Sequence, residues 1–235
     1  GTVYKGNDPA VRYTGRTLVS PDGSVAFDWV GTYLETRFTG GKLSVKVSET
    51  GTSYYNVFVD GKLHKVVKVC GTDTLIHLVS GIDKRIHSLK IQKRSEGEFG
   101  KTTVHQFVLS GSGRLAEEPA VRTRHIEFIG NSLTCGYGTD GKHRDEPFLV
   151  ETENCNLTFA SMVARYYDAD YTLIAHSGRG AARNYGDSVR VSKVTMKDRM
   201  LNTFDEDLTH KWNFKEYRPD LVVINLGSND FSTEP

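Results

Sequence analysis

Glycines recur every eight to eleven residues along the first half of the chain, and this spacing constrains the fold more than any other feature of the sequence. The series is Gly15, Gly23, Gly31, Gly40, Gly51, Gly61, Gly71 and Gly81. Between them lie short segments that alternate in polarity or are rich in β-branched and aromatic residues, at positions 25–30, 43–47, 56–59, 74–79 and 87–92. Short strands separated by turn residues at this spacing are typical of an antiparallel sandwich. We therefore predict a β-sandwich with jelly-roll-like character.

The clearest single turn is Asp60-Gly61, which separates two apolar segments and predicts a β-hairpin, because a tight primed turn requires positive φ. The strand pattern stops at residues 111–119, a stretch of small, charged and helix-breaking residues that suits a connection between domains. We therefore predict a sandwich domain over residues 1–118 and a second domain over residues 119–235.

The second domain has the pattern of an α/β fold. Three apolar runs, at positions 125–130, 171–176 and 220–227, are separated by stretches long enough to contain crossover helices, which predicts parallel strands. Either Asn154 or Asn156 is placed to cap a helix between the first two strands. The apolar series at i, i+3, i+4 and i+7 that predicts this helix is Leu157, Ala160, Ser161 and Ala164.

Each of the three predicted parallel strands is followed by a short sequence rich in Gly, Ser and Asn, and sites in open α/β sheets form at such strand ends. Ser132 follows the first strand after a tight glycine turn, which makes it the candidate nucleophile. Gly178 follows the second strand and offers a backbone N–H that no side chain blocks. Asn229 follows the third strand and offers a side-chain amide. Together with the N–H of Ser132, these groups are candidate donors to an oxyanion.

The ordered set Gly130-Asn-Ser132-Leu, Gly178 and Gly227-x-Asn229-Asp230 resembles the first three sequence blocks of the SGNH or GDSL hydrolase superfamily. More narrowly, a β-sandwich followed by the motifs at residues 130–138, 177–180, 195–199 and 222–231 resembles carbohydrate esterase family two. Members of that family remove acetyl groups from plant polysaccharides, chiefly xylan and mannan. The resemblance implies that residues 119–235 form the N-terminal part of an α/β SGNH-hydrolase domain of the flavodoxin-like type.

The sequence departs from the family pattern in two places. Asn131 stands where the superfamily motif has Asp. Its amide has a shape like that of the carboxylate, and the change leaves the nucleophile unaltered. The family's catalytic histidine lies in a fourth block beyond Gly-x-Asn-Asp, so we expect the hydrolase domain to be cut short, with the general base in a C-terminal remainder. His210 has the Asp-x-x-His spacing of that block but precedes the third strand. His176 is close to Gly178, but a histidine on an inner strand is more often a core residue.

Aromatic side chains provide flat apolar surfaces on which sugar rings stack. Tyr137, five residues after Ser132 and flanked by glycines, is a candidate to line the active cleft, and Trp212 is a second substrate-binding candidate. Core packing is the interpretation favoured for Trp29.

The cysteines match no zinc or redox spacing, so no metal site is predicted. Cys135 and Cys155 flank the loop after the first parallel strand, and two alternatives stay open for them: a disulfide if the protein is exported, or two separate buried thiols.

A balance of 30 basic against 29 acidic residues provides no overall field for nucleic acid or anionic lipid, and no apolar run is long enough to predict a membrane span. The partner that the resemblance implies is an acetylated polysaccharide or oligosaccharide. Serine-esterase chemistry requires no cofactor. The sequence thus predicts a serine esterase, secreted or on the surface or in the periplasm of a bacterium, and the alternative is a non-catalytic carbohydrate-binding protein with a remnant hydrolase scaffold.

Overall fold

The computed structural model describes residues 1–117 and 120–232, and the chain divides into two compact units. The first unit comprises Gly1–Phe27, Thr32–Lys93 and Phe99–Val121, and the second comprises Asp28–Gly31, Arg94–Glu98 and Arg122–Pro235. Two short segments from early in the chain therefore pack with the later part of the sequence. The predicted boundary at residues 118 and 119 lies outside the described residues and stays a prediction.

The first unit is built from two antiparallel sheets. Its strands in chain order are β1 (Thr2–Lys5), β2 (Arg12–Thr14), β3 (Leu18–Val19), β4 (Val25–Phe27), β5 (Tyr33–Phe38), β6 (Gly41–Glu49), β7 (Thr52–Val59), β8 (Lys62–Cys70), β9 (Thr74–Ile82), β10 (His87–Lys93) and β11 (Thr102–Leu109). A 3₁₀ turn at Gly97–Phe99, between β10 and β11 in the chain, begins in the second unit. One sheet has the order β3-β4-β11-β6-β9, with β1 also paired to β11, and the other has the order β2-β5-β10-β7-β8.

Both sheets contribute side chains to one apolar core, as a sandwich requires. Val47 and Phe107 come from one sheet, and Val57 and Ile91 come from the other. The predicted hairpin is confirmed, because β7 pairs with β8 across a turn in which Asp60 and Gly61 have φ values of 51° and 79°. The jelly-roll-like connectivity stays a prediction.

The second unit contains a parallel sheet with strand order β13-β12-β16, which confirms the three predicted parallel strands. A two-stranded antiparallel hairpin, β14-β15, was not predicted. In chain order the elements are β12 (His125–Gly130), α1 (Ser132–Cys135), 3₁₀ turns at Val150–Thr152 and Cys155–Leu157, α2 (Phe159–Tyr166), β13 (Asp170–Ala175), α3 (Met196–Arg199), β14 (Asn202–Phe204), β15 (Asp207–Lys211) and β16 (Leu221–Asn225).

The predicted helix between the first two parallel strands is present, but it begins later than expected. Asn154 caps the short 3₁₀ turn that precedes it, accepting a hydrogen bond from the N–H of Asn156, and Thr158 is the N-cap of α2. Leu157 therefore lies before the helix and is exposed. The other residues predicted for the buried face are buried, namely Ala160, Ser161 and Ala164. No helix in the described parts of the chain is long and apolar enough to cross a bilayer.

The segment Asp28–Gly31 is an integral part of the second unit. Trp29 is only 1% exposed and packs with Ile129 and Ile174 in a core cluster, as the sequence favoured. Its indole N–H donates to the carbonyl of Asn202 over 3.3 Å. At Gly31, with φ of 79°, a Cβ atom would lie 2.7 Å from Leu173 Cδ1, so the close packing of this segment on β13 requires glycine.

Candidate active site

The three parallel strands end in register, which brings their following loops to one edge of the sheet. Gly130 at the end of β12 pairs with Ala175 at the end of β13 on one side and with Asn225 at the end of β16 on the other. The loops that follow carry Ser132, Gly178 and Asn229 in turn. The structure thus brings the three motifs together at the carboxyl ends of the parallel strands, as we expected.

Ser132 is the first residue of α1, a single helical turn that ends at Gly136 in the left-handed conformation, with φ of 78°. The turn packs tightly on the strand end, since a Cβ atom at Gly130 would lie 2.1 Å from Thr134 Oγ1. Ser132 itself is half-buried. A hydroxyl at the start of a short, firmly packed turn is held at the sheet edge while still reachable from solvent.

Asn131 does more than replace the aspartate of the superfamily motif. Its Oδ1 accepts a hydrogen bond from the N–H of Leu133, a role that a carboxylate can also perform. Its Nδ2 donates to Ser228 Oγ over 2.9 Å, and a carboxylate cannot donate in this way when ionised. The amide therefore ties the loop that carries Ser132 to the loop that carries Asn229.

Asn229 is buried, and its Nδ2 donates one hydrogen to the carbonyl oxygen of Arg179 over 2.9 Å. An amide nitrogen has two hydrogens, and the second donates to no other group within the described residues. The N–H groups of Ser132 and Gly178 likewise donate to no other group within the described residues. Three unpaired donors from three different loops thus lie at one sheet edge, on the residues that the sequence identified.

Asp230 holds the third loop against the second. Its carboxylate accepts hydrogen bonds from the backbone N–H groups of Ala181, Ala182 and Arg183, at 3.1, 2.7 and 2.9 Å. Burial acts to raise the pKa of Asp230, but these bonds stabilise the carboxylate and hold its pKa below the usual value.

Gly178 has φ of 79°, a conformation that side chains rarely adopt. The residue before it, Ser177, is held by Glu96 from the early segment Arg94–Glu98, through its N–H at 2.5 Å and its hydroxyl at 2.7 Å. The carbonyl of Gly178 accepts a hydrogen bond from the N–H of Tyr185 over 2.8 Å. Sequence reasoning missed Glu96, because no local pattern links residues that are 81 positions apart.

His176 is buried in a cluster of charges. Its Nδ1 lies 2.8 Å from Asp205 Oδ2, and its Nε2 lies 3.4 Å from Glu98 Oε2. Arg199 donates to the same Asp205 carboxylate. Burial acts to lower the pKa of His176, but the hydrogen bonds to Asp205 and Glu98 outweigh it and raise the pKa to about 9. A histidine that is protonated at neutral pH, with both ring nitrogens engaged, is not available to take a proton from Ser132.

The remaining sequence candidates differ in their surroundings. Tyr137 is 48% exposed, stacks on Phe148 with ring centroids 3.7 Å apart, and lines a cleft of about 310 Å³. Trp212 is 8% exposed and packs against Tyr217, which leaves little of the indole open to a sugar.

Tyr185, which sequence reasoning missed, is 65% exposed beside Gly178. His210, which the sequence disfavours as the general base, lies on β15, and its ring centroid is 6.0 Å from that of Phe204.

The disulfide alternative for Cys135 and Cys155 is wrong for this structure, in which both are buried and are not joined by a disulfide. Burial, together with the negative charges of Glu96 and Glu153, raises the pKa of the Cys135 thiol well above its usual value. The alternative of two separate buried thiols therefore describes the pair.

Two carboxylate groupings around His176 have the residue types of a metal site. They are Glu96, Glu98 and His176, and His176, Asp205 and Glu206. The two groupings share His176, whose Nδ1 lies 2.8 Å from Asp205 Oδ2 and whose Nε2 lies 3.4 Å from Glu98 Oε2.

The fold and the strand-end loops define a class of protein with a sheet-rich N-terminal part and a GDSL-type domain. Residues 13–119 match the family model of the carbohydrate esterase 2 N-terminal domain, and residues 126–234 match that of the GDSL-like lipase/acylhydrolases. A solved family two carbohydrate esterase from Clostridium thermocellum, in complex with cellohexaose, is 35% identical with a TM-score of 0.89, over 95% of this chain and 67% of that chain. The chain belongs to carbohydrate esterase family two.

Curated relatives extend beyond this chain. The cellulase/esterase CelE of Acetivibrio thermocellus is 35% identical over 227 residues, which are 97% of this chain and 27% of that protein. An acetylxylan esterase/glucomannan deacetylase of Cellvibrio japonicus is 33% identical over an alignment of 226 residues that covers 93% of this chain and 61% of that protein. The chain therefore spans less than two thirds of the length of either relative.

Proposed function

We propose that the protein is a serine esterase that removes O-acetyl groups from plant polysaccharides of the xylan or mannan type. The observation that carries the proposal is the joining of the three strand-end loops, by the bonds Asn131 to Ser228 and Asn229 to Arg179, around Ser132 and three unpaired donors. The names of the relatives, which include acetylxylan esterase and glucomannan deacetylase, support the substrate class.

In the proposed reaction Ser132 Oγ attacks the carbonyl carbon of the acetyl ester. The negative charge that develops on the carbonyl oxygen is stabilised by the N–H groups of Ser132 and Gly178 and by Asn229 Nδ2. The bond between the carbonyl carbon and the sugar oxygen then breaks, the sugar oxygen takes the proton that the general base removed from Ser132, and the acetyl group stays on Ser132. Attack by water on this acyl-enzyme releases acetate and restores the serine.

The general base in this proposal is a histidine from a part of the protein outside this chain. Within residues 1–117 and 120–232 no histidine donates to or accepts from Ser132, and the protonated state of His176 argues against it as the base. Substrate contacts are proposed for Tyr137 and, through its exposed ring beside Gly178, for Tyr185. Trp212 remains a weaker candidate because it is buried. A secreted, surface or periplasmic location in a bacterium is part of the same proposal.

Acetate release by the protein with its natural C terminus tests the proposal. A chromogenic acetyl ester and acetylated xylan serve as substrates, and Ser132→Ala is expected to lower kcat by several orders of magnitude, because the covalent nucleophile is lost. Ser80→Ala, an exposed serine on β9 of the other unit, is the matched control and is expected to retain full activity. Acetate release by Ser132→Ala at the wild-type rate would rule out the acyl-enzyme on this residue.

Carbohydrate binding without catalysis is the second candidate. It is favoured by a solved carbohydrate esterase, 28% identical with a TM-score of 0.78, whose active site is described as displaying divergent catalytic and non-catalytic binding functions. If this is the function here, wild type and Ser132→Ala will bind xylan or mannan oligosaccharides equally, and neither will release acetate.

A further inference from the structure

We propose that Glu96 is a positioning residue for the oxyanion site, acting through Ser177 to fix the direction of the Gly178 N–H. This inference rests on the proposed esterase function, in which that N–H contacts the reacting carbonyl oxygen. It extends the site to a residue that lies before β11 in the sequence, among the sandwich strands, and that belongs by its contacts to the second unit.

The first support is the geometry of the carboxylate. Glu96 is fully buried, and each of its two oxygens accepts a hydrogen bond from Ser177: Oε1 accepts the N–H over 2.5 Å, and Oε2 accepts the hydroxyl over 2.7 Å. Two bonds to a single residue restrict both its backbone and its χ1 angle. Bonds of this kind to a carboxylate are stronger than those between neutral groups.

The second support is the position of the peptide plane that carries the proposed donor. The Gly178 N–H belongs to the peptide that joins Ser177 to Gly178, and glycine alone would let this peptide rotate freely. On one side Glu96 fixes Ser177, and on the other the N–H of Tyr185 fixes the carbonyl of Gly178 over 2.8 Å. The donor peptide therefore lies between two anchored neighbours, and Glu96 provides one of the two anchors.

The third support is that Glu96 is itself held in place. Its neighbour Arg94 donates from Nε to the carbonyl of Glu153 over 3.1 Å and forms an ion pair with Asp140. The residue before Ser177 is also held, because the N–H of His176 donates to the carbonyl of Gly130 over 3.3 Å. Because Glu96 and the residue before Ser177 are both held in place, Ser177 is held as well, and with it the N–H of Gly178.

Three variants separate positioning from simple stability, with kcat and KM measured for acetate release by the protein with its natural C terminus. Glu96→Ala leaves the N–H and hydroxyl of Ser177 without their partner. We expect it to lower kcat by about 10–100-fold, because misplacing an oxyanion donor costs about 10²–10³-fold at most, while KM changes by less than about threefold. Glu96→Gln can accept from the N–H and donate to the hydroxyl, and it is expected to recover most of this loss. Glu151→Ala, an exposed glutamate of the same unit, is the control and should match wild type.

A double-mutant cycle with Ser177→Ala tests the route of the effect. If Glu96 acts through Ser177, the two losses in kcat will be less than additive in the double variant. Full kcat in folded Glu96→Ala, or additive losses, would overturn the inference even if Ser132→Ala is inactive. If wild type itself releases no acetate, the proposed function fails first, and the inference fails with it.

Discussion

Raising the pH should destabilise the second unit through His176, and the size of the effect follows from its charge cluster. The pKa of His176 is about 9 in the folded protein against an ordinary value of 6.5. At about 1.4 kcal/mol per pKa unit, this difference corresponds to about 3 kcal/mol of unfolding free energy. Because the folded-state pKa is raised, the stabilisation is present in full below pH 6.5 and is lost as the pH rises through 9.

The assay is urea unfolding followed by tryptophan fluorescence between pH 6 and pH 9.5. The chain has two tryptophans, Trp29 and Trp212, and both belong to the second unit, so the signal reports on that unit. His176→Asn retains an N–H donor for Asp205 but has no titrating charge. We expect the variant to be less stable than wild type at pH 6, and this gap to close by about 3 kcal/mol at pH 9.5.

His210→Asn, at an exposed histidine on β15, is the matched control and should follow the wild-type curve. Comparing variants at each pH cancels the titration of every other group. If wild type and His176→Asn lose the same unfolding free energy over this range, the assignment of a stabilising cation to His176 is refuted.

Three further predictions concern the loops and the thiols. Asn229→Ala should lower kcat by about 10²–10³-fold because one oxyanion donor is lost, and an unchanged rate would remove Asn229 from the site. Asp230→Asn should lower the unfolding free energy by about 1–3 kcal/mol, since an amide replaces a carboxylate that accepts three N–H bonds; an unchanged urea midpoint would contradict this. With a thiol reagent, exposed Cys70 should react in the native protein and buried Cys135 and Cys155 only after denaturation, whereas a count of one thiol in denaturant would indicate a disulfide.

The parts of the structure that sequence could predict are those encoded by local patterns. The apolar runs ending near Gly130, Ala175 and Asn225 identify buried parallel strands, and their shared endings place the candidate site before any contact is known. Asp60-Gly61 specifies its hairpin through two adjacent positive φ angles. In both cases the physical constraint acts within a few residues.

The parts that sequence could not predict depend on contacts between distant residues. Neither the bond between Glu96 and Ser177 nor the pairing of His176 with Asp205 leaves a periodic signal. The start of α2 at Phe159, after its N-cap Thr158, was missed for a different reason: Asn154 is a good cap, and it caps a 3₁₀ turn that competes with the first turn of the helix. Local propensity identified the cap but not which turn it serves.

Because Asp28–Gly31 and Arg94–Glu98 belong to the second unit, a recombination event that exchanges only the first half of the gene would separate parts of that unit. A crossover near codon 118 would deliver the three described strands of the parallel sheet, yet it would leave behind Trp29, which packs in their core, and Glu96, which bonds to Ser177. Hydrolase sequences joined to a foreign sandwich would have to regain both through two separate loops. Exchange of the first half alone would therefore remove both contacts from the second unit.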